Sequence, residues 1–227
     1  MRLTKQHLDV GLFTTDLAAQ LHFWQERVGL LFDHRLKLGD GIHQHRFHAN
    51  GSIIKLNHSR HPLQPLAPSG IVGVHLAVEG LKGASELSDP DGNRLILVPP
   101  GHEGIAGLAI EMRVSDLGAA RVFWRDTVGL PETASGTFHV GDSLIILRQG
   151  LRSSPAHLGW RALGWRYLTI QVEDCVWEHC ELLARGAAEA APPRDLGGVA
   201  VVSFIRDPDG TVIELSERSS LKQTRPS

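Results

Sequence analysis

One segment occurs twice in this chain at a spacing of 100 residues, and that duplication limits the fold more than any other feature. Asp16-Leu17-Ala18-Ala19, Phe23-Trp24 and Val28-Gly29-Leu30 return as Asp116-Leu117-Gly118-Ala119, Phe123-Trp124 and Val128-Gly129-Leu130. Each copy reads as a helix with Asp as N-cap, apolar residues at helical spacing (Leu17, Leu21, Trp24, Val28) and Gly as the stop. A second echo is Asp89-Pro90-Asp91-Gly92 against Asp207-Pro208-Asp209-Gly210. Pro presets φ and Gly tolerates positive φ, so each tetrad predicts a hairpin turn feeding a last strand, Leu95 to Val98 and Val212 to Leu215.

Strands precede the helices. Leu168, Ile170 and Val172 alternate with Tyr167, Thr169 and Gln171; Ile110, Met112 and Val114 alternate with Ala109, Glu111 and Arg113. A period of two with one apolar face predicts half-buried strands, the apolar face lying under the following helix. The unit is therefore a strand, a helix and several antiparallel strands. Four units are expected: Leu8 to His58, a reduced second unit, Leu108 to Leu147, and Trp165 to Ser216. In the second, only eight residues separate Gly80 from Asp89, against 32 between Asp174 and Asp207, so its helix and middle strands are expected to be lost. Gly/Pro-rich joints fall at Pro62 to Gly70, Pro99 to Gly104 and Gly150 to Gly164. The polar tail from Glu217 to Ser227 is expected to fray.

The charge balance excludes some partners. Lys plus Arg is 23 against 25 Asp plus Glu, with none of the basic excess that nucleic-acid binding needs. No apolar run approaches a membrane span, and the amino terminus lacks the apolar region of a signal peptide, so a cytoplasmic location is expected. Cys175 and Cys180 sit five apart on a predicted helix, point to different sides and read as small hydrophobes without a disulfide. No phosphate loop, nucleophile elbow or Cys-pair zinc motif occurs.

The repeated Asp-helix-Val-Gly-Leu unit and the Asp-Pro-Asp-Gly turn before Val-Ile-Glu-Leu resemble the vicinal oxygen chelate superfamily of glyoxalases, bleomycin-resistance proteins and extradiol dioxygenases. The resemblance runs from Leu8 to Arg218. It implies an α+β fold in which paired βαβββ modules curl into cups, here two tandem domains: residues 1–100, with the reduced second module, and residues 105–218, followed by a tail at 219–227. It also implies a divalent metal in the cup, held by His from first strands and Glu from last strands. The matching positions here are Asp9 and Lys55, Gly73 and Ile96, Ala109 and Ile145, and Tyr167 and Glu214. Of the usual ligands only Glu214 remains, so no cofactor is expected, with iron, manganese or zinc on atypical ligands as the alternative.

If modules pair in sequence order, an amino-terminal cup presents Asp9, Lys55 and Asn57, with His75, His45 and His58 on neighbouring strands. Lys55 would place positive charge where a metal would have been, held by Asp9 in an ion pair, and His75 or His45 would move a proton. These four, Lys55, His75, His45 and Asp9, are the candidate catalytic residues. The chain has 13 His, nine of them at or before His75; surface histidines and a snorkelling lysine are the simpler reading, and His7, His43, His45, His58 and His75 as metal ligands another. The carboxyl-terminal cup would present Glu111, Arg113, Tyr167, Thr169, Gln171 and Glu214, with His139 and Arg148 nearby and a Tyr167–Glu214 hydrogen bond replacing the ligand pair. Asn57, His58, Tyr167, Glu214 and Glu111 are candidate substrate-binding residues. The joint holding His157, Trp160 and Trp165 would be a lid or an interface.

The expected function is an enzyme of lyase or isomerase type acting by acid-base chemistry, with a degenerate or absent metal site, on a small oxygenated organic substrate, aromatic ones included. A sequestering protein of the resistance type is the first alternative, and a metal-dependent dioxygenase or glyoxalase the second. A small molecule is the expected partner, nucleic acid and membrane are not, and a homodimer is left open.

Overall fold

A computed structural model of the protein describes residues 1–150 and 160–222. The first module comprises β1 (Asp9–Thr14), α1 (Leu17–Leu21), β2 (Phe32–Gly39), β3 (Ile42–Ala49) and β4 (Ser52–Ser59). The second retains β5 (Ile71–Ala77), β6 (Ser85–Ser88) and β7 (Arg94–Val98). The third has β8 (Leu108–Val114), α2 (Leu117–Val122), β9 (Glu132–Ala134), β10 (Thr137–Val140) and β11 (Ser143–Gln149). The fourth has β12 (Gly164–Gln171), α3 (Cys175–Ala184), β13 (Ala188–Asp195), β14 (Ala200–Arg206) and β15 (Val212–Arg218), and α4 (Ser219–Lys222) follows. The expected α+β class and the strand–helix–strands unit are what the chain adopts. The second module has lost its helix as expected but keeps one short middle strand, β6.

The duplicated helices begin where the sequence places them: Asp16 and Asp116 accept from the backbone N–H of Ala19 and Ala119 at 3.1 and 2.9 Å. Each α-helical start then widens into π-helical turns, His22–Arg27 and Phe123–Thr127, and Gly29 and Gly129 end them at φ of 82° and 81°. The carboxylate of Asp89 ties the first helix to the second module. It accepts from Gln20 Nε2 and Asn93 Nδ2 on one oxygen and from the backbone N–H of Asp91 and Asn93 on the other, all within 2.8–2.9 Å. Gln20 Oε1 in turn accepts from the buried Trp24 indole at 2.8 Å. The partner turn docks likewise, Asp209 accepting from Ser115 just before α2.

Module pairing departs from the expectation. The strands form an eight-stranded sheet, β13-β14-β15-β12-β1-β4-β3-β2, and a seven-stranded sheet, β6-β7-β5-β8-β11-β10-β9. The first module joins the fourth through antiparallel β1 and β12; the second joins the third through antiparallel β5 and β8. Neither sheet is made of the first two modules alone, so the in-order pairing and the two cups built on it are corrected. The physical reason is that every first strand here offers an apolar face and a free edge of similar length, and several partners satisfy both.

The apolar faces of the two sheets share one core. Leu8, Val10 and Leu12 of β1, Val74 and Leu76 of β5, Ile110 of β8 and Ile170 of β12 pack there with Trp24 and Trp124, both fully buried. On the seven-stranded sheet a second apolar cluster, Ile96, Val98, Ala109, Leu144 and Ile146, takes in Ile105 from the loop between β7 and β8, and Ile105 is fully buried. That concave face is filled by the chain itself. The face of the eight-stranded sheet opposite the core is open.

Cys175 is buried and Cys180 exposed, both as free thiols. No described helix is long and apolar enough to cross a membrane. The lid expected around His157 lies outside the described residues.

Gln20 links three groups in the interior. Replacing it with Leu leaves the Trp24 indole without its acceptor and Asp89 without one of its four donors, and should cost about 1–3 kcal/mol. Urea unfolding should show a lower midpoint at unchanged slope.

Candidate functional site

Strand alternation decides what the open face presents. Asp9 and Phe13 of β1, Lys55 and Asn57 of β4, Tyr167, Thr169 and Gln171 of β12 and Glu214 of β15 share it with Gln44 and Arg46 of β3 and Arg218 at the end of β15. The register sets Asp9 opposite Thr169, Gly11 opposite both Tyr167 and Lys55, and Thr169 opposite Glu214. Gly11 is required here: a Cβ at this position would lie inside the Tyr167 ring, so the absent side chain is the space that ring fills.

At the centre is Lys55, 3% exposed. Its Nζ donates to Glu214 Oε2 at 2.6 Å and to Thr169 Oγ1 at 2.7 Å, while the Thr169 hydroxyl donates to the same Glu214 oxygen at 2.5 Å. An ammonium has three N–H donors, which leaves one for a ligand. Among the described residues Glu214 Oε1 takes no hydrogen bond. Burial pushes the Lys55 pKa below the ordinary lysine range, against the pull of Glu214 and Asp9.

Tyr167 stands beside this pair, its ring 5.6 Å from Lys55 Nζ. The phenol oxygen accepts from Asn57 Nδ2 at 3.1 Å and Gln44 Nε2 at 3.3 Å, so its own proton is free to donate. Burial, reinforced by the Glu214 charge, drives its pKa far up and keeps it a neutral phenol. The cavity in front of these groups is about 610 Å³, and its upper walls are apolar, with Phe13, Ile42, Trp160, Val202 and Phe204 among them. Trp160 and Phe204 lie with ring centroids 4.8 Å apart. A volume of this size suits a small organic ligand.

The structure thus gathers Asp9, Lys55, Asn57, Tyr167 and Glu214 from what the sequence assigned to two cups. Two expected contacts are replaced. Lys55 pairs with Glu214, and Asp9 pairs with Lys5 at 2.6 Å while accepting from Gln171 Nε2 and the Ile53 amide. Tyr167 bonds Asn57 and Gln44, with no hydrogen bond to Glu214. The other candidates lie elsewhere. His45 and His58 point from β3 and β4 to the opposite face of the sheet, with His45 against the Phe32 ring. Burial and the nearby Arg35 and Arg60 push their pKa values down, so they stay neutral there. His75 and Glu111 belong to the seven-stranded sheet, where His75 Nε2 lies 3.3 Å from Glu111 Oε2 and Arg94 and Arg148 approach the same carboxylate at 3.7 and 4.0 Å. His75 cannot move a proton at Lys55, and His139, on β10, is in that second sheet too.

Gln44, Arg46 and Arg218 were not among the site residues expected from the sequence. Their signal was the same-face spacing Ile42, Gln44, Arg46 and Glu214, Ser216, Arg218, which has meaning only once the hairpin register is known.

A divalent cation does not fit this donor set. The place where four ligands would converge holds the Lys55 ammonium, which has no lone pair to give and already occupies one oxygen of Glu214. Among the described residues no group of three or more His, Cys, Asp or Glu is placed to hold a metal.

Asp9 gives a test of these electrostatics. Burial alone would raise its pKa, but Lys5, Lys55 and Arg46 outweigh it and hold the carboxyl below the usual range. A folded-state pKa below the unfolded value, about 4, contributes stability that is present above that pH and lost as the pH falls through the folded value. Asp9→Asn should therefore be less stable at pH 7 by about 1–3 kcal/mol. The gap to wild type should close as urea midpoints are followed down to pH 3.

A comparison with curated protein sequences finds no match. The whole chain superposes on solved structures. Glyoxalase I from Zea mays gives a TM-score of 0.70 at 12% identity, covering 98% of this chain and 94% of that one. A putative dioxygenase from Bacillus subtilis gives 0.67 at 12% identity, covering 96% and 86%. The cppA protein from Streptococcus pneumoniae gives 0.58 at 8% identity, covering 95% and 100%. At these identities the likeness is one of fold, that of paired modules. Residues 106–215 match the family model described as Glyoxalase/Bleomycin resistance protein/Dioxygenase superfamily. Residues 106–215, a little under half of the chain, are thus similar to that superfamily's model, and the chain as a whole has the paired-module fold seen in glyoxalase I.

Proposed function

We propose that the protein is an enzyme that moves a proton on a small oxygenated organic substrate, a lyase or isomerase, with Lys55, Glu214 and Tyr167 as the groups that do it. The observation that carries this reading is a buried ammonium and phenol beside a largely buried carboxylate, at the floor of a cavity whose upper walls are largely apolar. Glu214 Oε1 takes a proton from the carbon next to a substrate carbonyl. The electron pair moves onto the carbonyl oxygen, which accepts from the remaining Lys55 N–H and the Tyr167 O–H. Return of the proton from Glu214 to a neighbouring atom completes an isomerisation; departure of a β-substituent with that electron pair completes an elimination. Asp9 acts at a distance, its charge favouring protonated Lys55.

Deuterium wash-in, followed by proton NMR in D2O over a panel of 2-oxo acids and α-hydroxy ketones, tests this directly. Wild type should exchange the carbon-bound proton of at least one compound. Glu214→Gln, which keeps the shape, should exchange about 10²–10⁴-fold more slowly, and Lys55→Met should be inactive. Unchanged exchange in either folded variant refutes the assignment.

The stacked Trp160 and Phe204 rings favour a second reading, a protein that binds and sequesters an aromatic compound without changing it. Ligand affinity unaltered in Glu214→Gln, together with no exchange or turnover by wild type, would establish it in place of the first.

A further inference from the structure

Six charged side chains line the cavity: Arg46, Lys55, Arg161, Arg194 and Arg218 against the single acid Glu214. The chain as a whole carries a net charge of -2, so this positive excess is local. A cavity with low-dielectric walls focuses such a field towards its floor. Partners on the page account for part of it. Lys55 pairs with Glu214, and Arg161, at the mouth, pairs with Asp40 at 2.9 Å.

Two guanidinium groups at the floor are left over. Arg46 is only 4% exposed, and its Nη1 donates to Gln44 Oε1 at 3.0 Å. Its Nε is buried with no hydrogen-bond partner; the nearest carboxylate, Asp33, lies at 3.7 Å and is shared with His34. Arg218 is half-buried and, among the described residues, makes no ion pair within 4 Å. Burial and the like charge of Arg46 act against its protonated form and outweigh the attraction of Asp9, Glu214 and Asp33. An unmatched buried N–H costs free energy, and so do two like charges sharing a poorly solvated space. An anion between them would remove both costs, and a planar carboxylate fits a guanidinium fork with two hydrogen bonds.

We propose that Arg46 and Arg218 form an anion site at the cavity floor, and that the ligand of the cup is an amphipathic carboxylate whose apolar body packs against Trp160 and Phe204. This rests on the cup being a small-molecule site, and it adds the substrate class. The carboxylate is held on the Arg46–Arg218 side, which leaves the Lys55 N–H and the Tyr167 O–H for a second oxygen of the same molecule.

The test uses the full chain and matched pairs of probes, benzoate with benzamide, phenylacetate with phenylacetamide, and 2-naphthoate with 2-naphthamide, titrated by tryptophan fluorescence and calorimetry. The expected result is at least one carboxylate binding tenfold or more tighter than its amide, with the preference weakening as salt is added. Arg218→Met should reduce that preference to within about twofold, and Arg218→Lys should keep part of it. Arg46→Met should act in the same direction; if that buried substitution prevents folding, Arg218→Met at its half-buried site decides alone. Equal binding of acid and amide by wild type overturns the anion site while leaving the cup as a ligand site. An undiminished preference in folded Arg218→Met overturns it as well. If no acid and no amide binds, the proposal falls together with the reading of the cup.

Discussion

The ion pair between Lys55 and Glu214 is the interaction on which the arrangement of this molecule turns. Lys55 comes from the first module and Glu214 from the fourth, and they meet only because β1 and β12 pair. A buried ammonium without a bonded counter-charge is costly, and in any arrangement that separated these modules Lys55 would lose its hydrogen-bonded carboxylate. The pair contributes little to stability when well matched, since desolvation offsets most of the attraction. Its larger effect is on specificity: it penalises every pairing that leaves one partner behind. Thr169 reinforces the choice by bonding both charges, and Gly11 does so sterically by receiving the Tyr167 ring across the junction of the two modules.

The same duplication yields two concave faces with different fates. On the seven-stranded sheet, Ile105 folds back from its loop and completes an apolar cluster with Ile96, Ala109 and Ile146, so burial of the chain's own side chains replaces a ligand. Shortening of the second module, which keeps β6 but no helix, goes with that filled face. On the eight-stranded sheet polar and charged residues occupy the corresponding positions, and the face cannot close on itself without leaving them unpaired. An open cavity there follows from composition: a floor rich in ionisable groups stays accessible to a partner that can satisfy it.

Much of the local structure is legible in the chain. The Asp caps at Asp16 and Asp116, the glycine stops at Gly29 and Gly129 and the two Asp-Pro-Asp-Gly turns each depend on a few neighbouring residues, and each forms where its chemistry requires. The strand faces are legible too, because a period of two separates Tyr167, Thr169 and Gln171 from Leu168 and Ile170 whatever lies alongside. The candidate site was legible in pieces. Asp9, Lys55, Asn57, Tyr167 and Glu214 stood out, but as halves of separate cups, and His45, His58 and His75 stood out equally and lie elsewhere. Arg46 and Arg218 were not among those candidates, since an arginine on a strand is ordinarily a solvated one.

What the sequence by itself determined is the content of each module: its strands, its capped helix, its turn and the set of side chains on each strand face. These follow from short-range sterics and hydrogen bonding, which a local stretch of chain specifies completely. The tertiary structure alone decided which module joins which, and so which faces meet. Edge pairing is nearly indifferent to sequence, because backbone groups are the same in every strand. The choice falls to long-range terms, the burial of Lys55 against Glu214 and of Trp24 and Trp124 in a shared core, and these exist only after the chain has closed on itself.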